Sequence, residues 1–170
     1  EPSGNLRSAI WTVPIAGGPM ICLTSDHPAD DLLPRYRPDG KTLVYGMQHD
    51  PLFYADRVRM MEYDRATKQH RELAPDWSLS PAHWTFGEDG TLYLETEDNA
   101  RASLFALRGS GAPKRLVAGG SVSGAHVAKG GRVLFTLQSQ VAPPEVFSCA
   151  ADGAGLTRVT RFTEPAASQY

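Results

Sequence analysis

Short apolar runs set off by polar turns recur along this chain at intervals far longer than any helix or strand period. After Pro38, Asp39 and Gly40 come Leu43, Val44 and Tyr45; after Asp89 and Gly90 come Leu92, Tyr93 and Leu94; after Gly130 and Gly131 come Val133, Leu134 and Phe135. Each turn holds a glycine that tolerates positive φ, so each stretch predicts a tight turn entering a strand. The runs are continuous and not alternating, which predicts strands covered on both faces. Leu43, Leu92 and Val133 mark equivalent positions, 49 and 41 residues apart.

A second pattern lies between these copies: an apolar strand, a polar or glycine-rich turn, and a returning strand that ends on an aliphatic residue. It occurs as "AIWTVPIAGGPMICLTS", "RMMEYDRATKQHRELAP", "SLFALRGSGAPKRLVAG" and "EVFSCAADGAGLTRVTR". Trp11, Met61, Phe105 and Phe147 correspond in the outgoing strand, and Leu23, Leu73, Leu116 and Val159 in the returning one. Two alternating hairpins within one period of roughly 40 to 50 residues are expected of a propeller blade. The predicted fold is all-β, a partial β-propeller of about three and a half four-stranded antiparallel blades. The expected divisions are a half blade at 1–26, holding the second hairpin only, blades at 27–76, 77–120 and 121–163, and an exit segment at 164–170. A closed propeller needs at least about four blades, so the chain is expected to be part of a larger ring.

Composition adds exclusions. The net charge of −2 and a pI near 6.2 give no broad positive field for phosphate backbones, so nucleic acid is not an expected partner. No run approaches the length and apolarity of a membrane-spanning helix, and the polar start "EPSGNLR" is not a signal peptide, so no membrane association is expected. Cys22 and Cys149 lie in the first and last repeats and read as small buried residues, with no disulfide framework.

Motifs for chemistry are scarce. A hydrolase elbow needs Gly-x-Ser-x-Gly, and in "GGSVSG" neither Ser121 nor Ser123 has glycines at both offsets; the segment is expected to connect two blades. His27, His49, His70, His83 and His126 lack zinc spacing, and no phosphate loop or calcium loop is present, so no metal, no cofactor and no catalytic residue is assigned. The longest connection between equivalent strands is "HDPLFYADRVR", and loop length added to a repeat scaffold is where binding tends to sit. Tyr54, Asp56 and Arg57 there combine an aromatic surface with one charge of each sign and are the candidate substrate contacts, the alternative being that the two charges fix the loop.

The stretches "RYRPDGKTLVYG", "YADRVRMMEYDRATKQHREL" followed by "DWSLSP", and "APPEVF" before "LTRVTRF" resemble propeller repeats of bacterial prolyl oligopeptidase family serine peptidases, in the dipeptidyl-peptidase and acylaminoacyl-peptidase branch. The resemblance spans almost the whole chain and implies that a propeller caps an α/β-hydrolase domain of the same parent chain, admits peptide substrates and excludes folded proteins. The catalytic serine, aspartate and histidine would lie outside this chain, which by itself is expected to be inactive. Proline-aspartate-glycine blades also resemble those of TolB-like proteins, which implies the alternative of a non-catalytic propeller that binds a protein partner. Periplasmic or secreted location is the compartment the resemblance implies. Because an interrupted ring leaves apolar blade faces uncovered, the chain is also expected to form a homodimer through its terminal blades. Ile10, Trp11 and Val13 would lie at one contact, and the strand around Val133 and Phe135 or that around Val146 and Cys149 at the other.

Overall fold

The computed structural model describes residues 7–163, so the expected exit segment and the first six residues of the half blade lie outside the described residues. Two compact units follow one another, Glu1–Ser78 and Leu79–Tyr170. The first holds a two-stranded sheet, β1 (Trp11–Thr12) and β2 (Ile21–Cys22), and a four-stranded sheet of β3 (Asp31–Tyr36), β4 (Thr42–Met47), β5 (Arg59–Asp64) and β6 (His70–Glu72). The second holds β7 (Pro81–Phe86), β8 (Leu92–Asp98), β9 (Arg101–Leu107) and β10 (Lys114–Arg115) in one sheet, with β11 (Ser121–Val127), β12 (Val133–Ser139), β13 (Ala142–Cys149) and β14 (Thr157–Arg158) in another. Every sheet is an antiparallel meander in chain order, and the fold is the all-β partial propeller that the repeats predict.

The register shows that the repeats are structural equivalents. Trp11 pairs with Cys22, Met61 with Glu72, Phe105 with Arg115 and Phe147 with Arg158, always the outgoing marker with the residue before the returning marker. Each returning marker then donates its N–H to the carbonyl before the outgoing one: Leu23 to Ile10 at 2.8 Å, Leu73 to Met60 at 2.7 Å, Leu116 to Leu104 at 2.8 Å and Val159 to Val146 at 2.7 Å. Leu43, Leu92 and Val133 likewise face Tyr63, Leu107 and Cys149, each two residues beyond the outgoing marker. The turns are closed by their aspartates: Asp39, Asp89 and Asp152 accept from the N–H two residues on, as short polar turn residues do. Those N–H groups of Thr91 and Ala154 hold the Asp89 and Asp152 carboxyls below the ordinary carboxylate range.

Burial follows the same frame. In β4 the run Leu43, Val44 and Tyr45 is buried, and in β8 so is Leu92, Tyr93 and Leu94, consistent with cover on both faces. In the first unit Ile10 and Leu23 of the small sheet pack with Leu43, Tyr45, Met47, Met61 and Tyr63. In the second, Tyr93, Leu104, Ala106 and Val117 pack with Val122, Val133, Phe135 and Cys149. Burying one such side chain stabilises by about 1.5–3 kcal/mol. In β12 burial alternates instead: Val133 and Phe135 are buried while Leu134 is half-buried. Of the residues expected at a dimer contact, Trp11 and Val13 are exposed, whereas Ile10, Val133, Phe135 and Cys149 are already enclosed within their own units.

Two buried glutamates bind the second unit together. Glu95 on β8 reaches the adjacent sheet, where its carboxylate accepts from the N–H groups of Gly124 (3.1 Å) and Ala125 (2.6 Å) at a bulge in β11. Such a bulge leaves N–H groups out of the ladder, and the carboxylate satisfies them. Glu145 on β13 ties down the last hairpin through Arg158, the Thr160 hydroxyl, and both the N–H and hydroxyl of Thr163. Burial alone would raise its pKa, but these donors outweigh it and bring the carboxyl to about 2. Because the folded-state pKa lies below the unfolded one, the stabilisation is complete above the ordinary glutamate range and disappears as pH falls toward 2. Thermal melts between pH 6 and pH 2 should therefore show a steeper acid limb for the native protein than for Glu145→Gln. Parallel acid limbs would contradict this role.

Candidate functional site

The β4–β5 connection is the point where the repeat is most elaborated. The corresponding strands of the second unit are joined by tight turns, with Asp98 facing Arg101 and Ser139 facing Ala142, whereas in the first unit the ladder ends at Met47 and Arg59 and residues 48–58 leave the sheet. Polar side chains lock the base of this loop. Asp56 Oδ2 accepts from the N–H of His49 (2.6 Å) and Asp50 (3.1 Å) and from Arg59 Nη1 (3.0 Å), and Oδ1 accepts from the N–H of Arg57 (2.7 Å). Gln48 Nε2 donates to the carbonyls of Tyr54 (3.1 Å) and Asp56 (2.8 Å). Burial pushes the Asp56 carboxyl up, but the His49 N–H, Arg59 and the Asp50 N–H together hold it well below the usual carboxylate range.

Arg57 is also engaged, donating to the Trp77 carbonyl and, through Nη2, to Glu72 at 3.2 Å. Of the three candidate contact residues, Asp56 and Arg57 thus lie with their side chains in the hydrogen-bond framework of the loop, whereas Tyr54 joins it only through its carbonyl and is 95% exposed. Leu52 and Phe53 accompany it, 84% and 53% exposed, with the Phe53 ring centroid 6.3 Å from that of Tyr54. The structure therefore presents three consecutive apolar side chains on a tip whose base is fixed. Leu52 and Phe53 were legible as part of a long loop, but their joint exposure depends on the lock below them.

A second cluster brings together residues that the sequence kept apart. His27 Nδ1 lies 2.8 Å from Asp31 Oδ1, and the Tyr45 hydroxyl lies 2.7 Å from His70 Nδ1. The rings of His27 and His70 are 5.1 Å apart, with Tyr63 packed 4.8 Å from His70. Burial, then the proximity of His27, lowers the His70 pKa; burial, then the charges of Asp31 and Asp26, raises that of Tyr45 beyond the ordinary tyrosine range. The remaining oxygen of Asp31 is buried without a partner. The cluster is a polar inclusion at the seam between the small sheet and β3–β6. Among the described residues no group of His, Cys, Asp and Glu is arranged to hold a metal ion.

Two smaller expectations are corrected. Ser121 and Ser123 lie inside β11, and the connection from β10 is completed before them, ending on Gly119 and Gly120, both with positive φ. Cys149 is buried as expected, but Cys22 is only half-buried; both are free thiols.

No family model matches the chain. It is 30% identical over 108 residues to a probable dipeptidyl-peptidase 5 of Emericella nidulans, covering 61% of this chain and 15% of that protein. It is 27% identical over 123 residues to the corresponding protein of Aspergillus niger, covering 70% and 17%. The chain thus spans about a sixth of the length of these curated relatives. Among solved structures it superposes on TolB from Acinetobacter baumannii with a TM-score of 0.65 at 16% identity, over 91% of this chain and 38% of that one. A putative TolB from Agrobacterium tumefaciens gives 0.67 at 18% identity, over 89% and 56%. The β-propeller domain of the Trilobed protease from Pyrococcus furiosus gives 0.61 at 15% identity, over 75% and 37%. The fold is shared with propellers of both TolB proteins and peptidases.

The lock at the loop base makes a direct prediction. Asp56→Ala leaves the N–H groups of His49, Asp50 and Arg57 without their acceptor and should destabilise the first unit by roughly 1–3 kcal/mol. Chymotrypsin should then cut after Phe53 or Tyr54 several times faster than in the native protein, whose exposed tip is held rigid. An unchanged cleavage rate would show that Asp56 does not order the loop.

Proposed function

We propose that this propeller is a recognition module that engages a polypeptide through the tip of the 48–58 loop, with Leu52, Phe53 and Tyr54 as apolar anchors. One observation carries the reading: three adjacent apolar side chains are held out to solvent by a base in which Asp56, Arg57, Arg59 and Gln48 are all hydrogen-bonded. Rigid aromatic anchors lose little side-chain entropy on binding, and preorganisation of the loop lowers the remaining cost. Tyr54, Asp56 and Arg57 then divide the work, the first touching the ligand and the other two holding it in place. The resemblance to TolB-like propellers supports a protein partner, and with it a periplasmic or secreted location.

The sequence likeness to probable dipeptidyl-peptidase 5 supports a second reading, in which the same surface orients peptides for a serine peptidase domain of the parent chain. Peptide selection from a random library separates the outcomes. Selected peptides should carry apolar anchors and lose at least about tenfold in affinity against Phe53→Ala/Tyr54→Ala, equivalent to the loss of one good hydrophobic contact. Equal binding to the variant would refute the loop as the recognition surface. For the peptidase reading, a parent protein with a Gly-x-Ser-x-Gly elbow should cleave dipeptidyl substrates, and the double variant should raise KM with little change in kcat.

A further inference from the structure

A cleft of about 630 Å³ opens in the first unit between the small sheet and β3–β6. Its walls are apolar and aromatic, drawn from Val13, Ile21 and Leu23 on one side and Tyr36, Leu43 and Tyr63 on the other. The volume lies within the range of small-ligand sites. Its polar lining is one-sided. Arg65 and Lys68 border the cleft, and among the described residues that line it none is an aspartate or glutamate. Arg65 lies over the Tyr36 ring, 5.2 Å from its centroid, with Nη1 donating to the Gly40 carbonyl at 2.7 Å. Among the described residues neither cation has an ion-pair partner, and the nearby Asp64 carboxylate is turned to the N–H groups of Ala66 and Thr67.

The repeat itself supplies a control. The seam between the two sheets of the second unit is built from equivalent positions, and there it is shut. Ala151 stands where the first unit has Arg65, and it packs against the core beside Leu116, the counterpart of Leu23. Gly153, with φ of 90°, corresponds to Thr67 of the first unit, and the residue that is left-handed in that turn is the next one, Lys68, with φ of 59°. A Cβ on Gly153 would come within 2.7 Å of the Leu116 carbonyl, so that seam closes only because the position is glycine. In the first unit Thr67 stands at that position, and the lysine after it takes the left-handed backbone. Left-handed backbone is unfavourable for a side chain other than glycine, asparagine or aspartate, and Lys68 adopts it at the rim of the open cleft.

We propose that this cleft binds the C-terminal residue of a peptide ending in an apolar side chain. The side chain enters the wall formed by Val13, Ile21, Leu43 and Tyr63, and the terminal carboxylate is met by Arg65 and Lys68. An apolar pocket rimmed by unpaired cations complements a ligand that carries one negative charge on a hydrophobic group, and an amidated or internal residue lacks that charge. This surface is separate from the 48–58 loop and does not depend on the function proposed for it.

Cys22 provides the readout. Its half-exposed thiol lines the cleft, while Cys149 is buried, with its thiol pKa raised by that burial, so alkylation reports on one site. Iodoacetamide labelling of the intact protein, followed by mass spectrometry, should be slowed by N-acetyl-Ala-Ala-Phe. The amide of the same peptide should need about tenfold more for equal protection, because the charge-assisted bonds are missing. Arg65→Gln/Lys68→Asn should abolish the difference between acid and amide while Cys22 still labels in the free protein; asparagine is chosen because it accepts the left-handed backbone. Equal protection by acid and amide, no protection by either, or an acid preference that survives the double variant would each overturn the proposal. Protection by 3-phenylpropanoate equal to that by the peptide would also overturn it, by showing that the cleft takes free acids and does not read the peptide.

Discussion

The middle strands of the sheets impose the constraint on which everything else rests. Val44, Tyr45, Leu92, Tyr93 and Leu94 are buried as consecutive residues, although successive side chains of a strand point to opposite faces. A sheet built around such strands is stable only when both faces are covered, so each blade requires neighbouring layers and the hairpins must recur in register. The four equivalent backbone bonds from Leu23, Leu73, Leu116 and Val159 keep that register through turns of different length and composition.

Once the strands are committed to this purpose, variation is confined to the turns and seams. The same connection is a tight turn at 98–101 and a locked loop at 48–58. The left-handed residue of the equivalent turn is Gly153 against the closed seam and Lys68, one position later, beside the open one. Both departures from the repeat fall in the first unit, and both place apolar surface beside charged groups. Both proposed binding surfaces lie in these departures, and the repeat supplies the frame that holds them.

Much of the fold was legible because its signal is local. Pro38-Asp39-Gly40 and Asp89-Gly90 announce their turns, and Leu43, Leu92 and Val133 announce the strands that follow. Trp11, Met61, Phe105 and Phe147 align without knowledge of their partners, and the structure pairs all four identically. The sites were less legible because they depend on side-chain pairing across distant positions. Asp56 and Arg57 stood out by charge, but only the folded structure shows that His49, Glu72 and Trp77 engage them. His27 and His70 are far apart in sequence and meet only because β6 returns beside β4's neighbour, carrying His70 to the Tyr45 hydroxyl. Lys68 gives no sequence signal, since its meaning lies in a backbone angle and in the comparison with Gly153.

Residue-resolved amide hydrogen exchange under native conditions tests this account most directly, because it reads the stability of each strand separately. Within the first unit Val44 and Tyr45 should be the slowest to exchange, and within the second Tyr93 and Leu94, all through opening of their whole sheets, while β2, β10 and β14 exchange sooner. If the outer strands proved as slow as the middle ones, or if the middle strands opened independently of their neighbours, two-sided burial of the middle strands would not be what holds the molecule together.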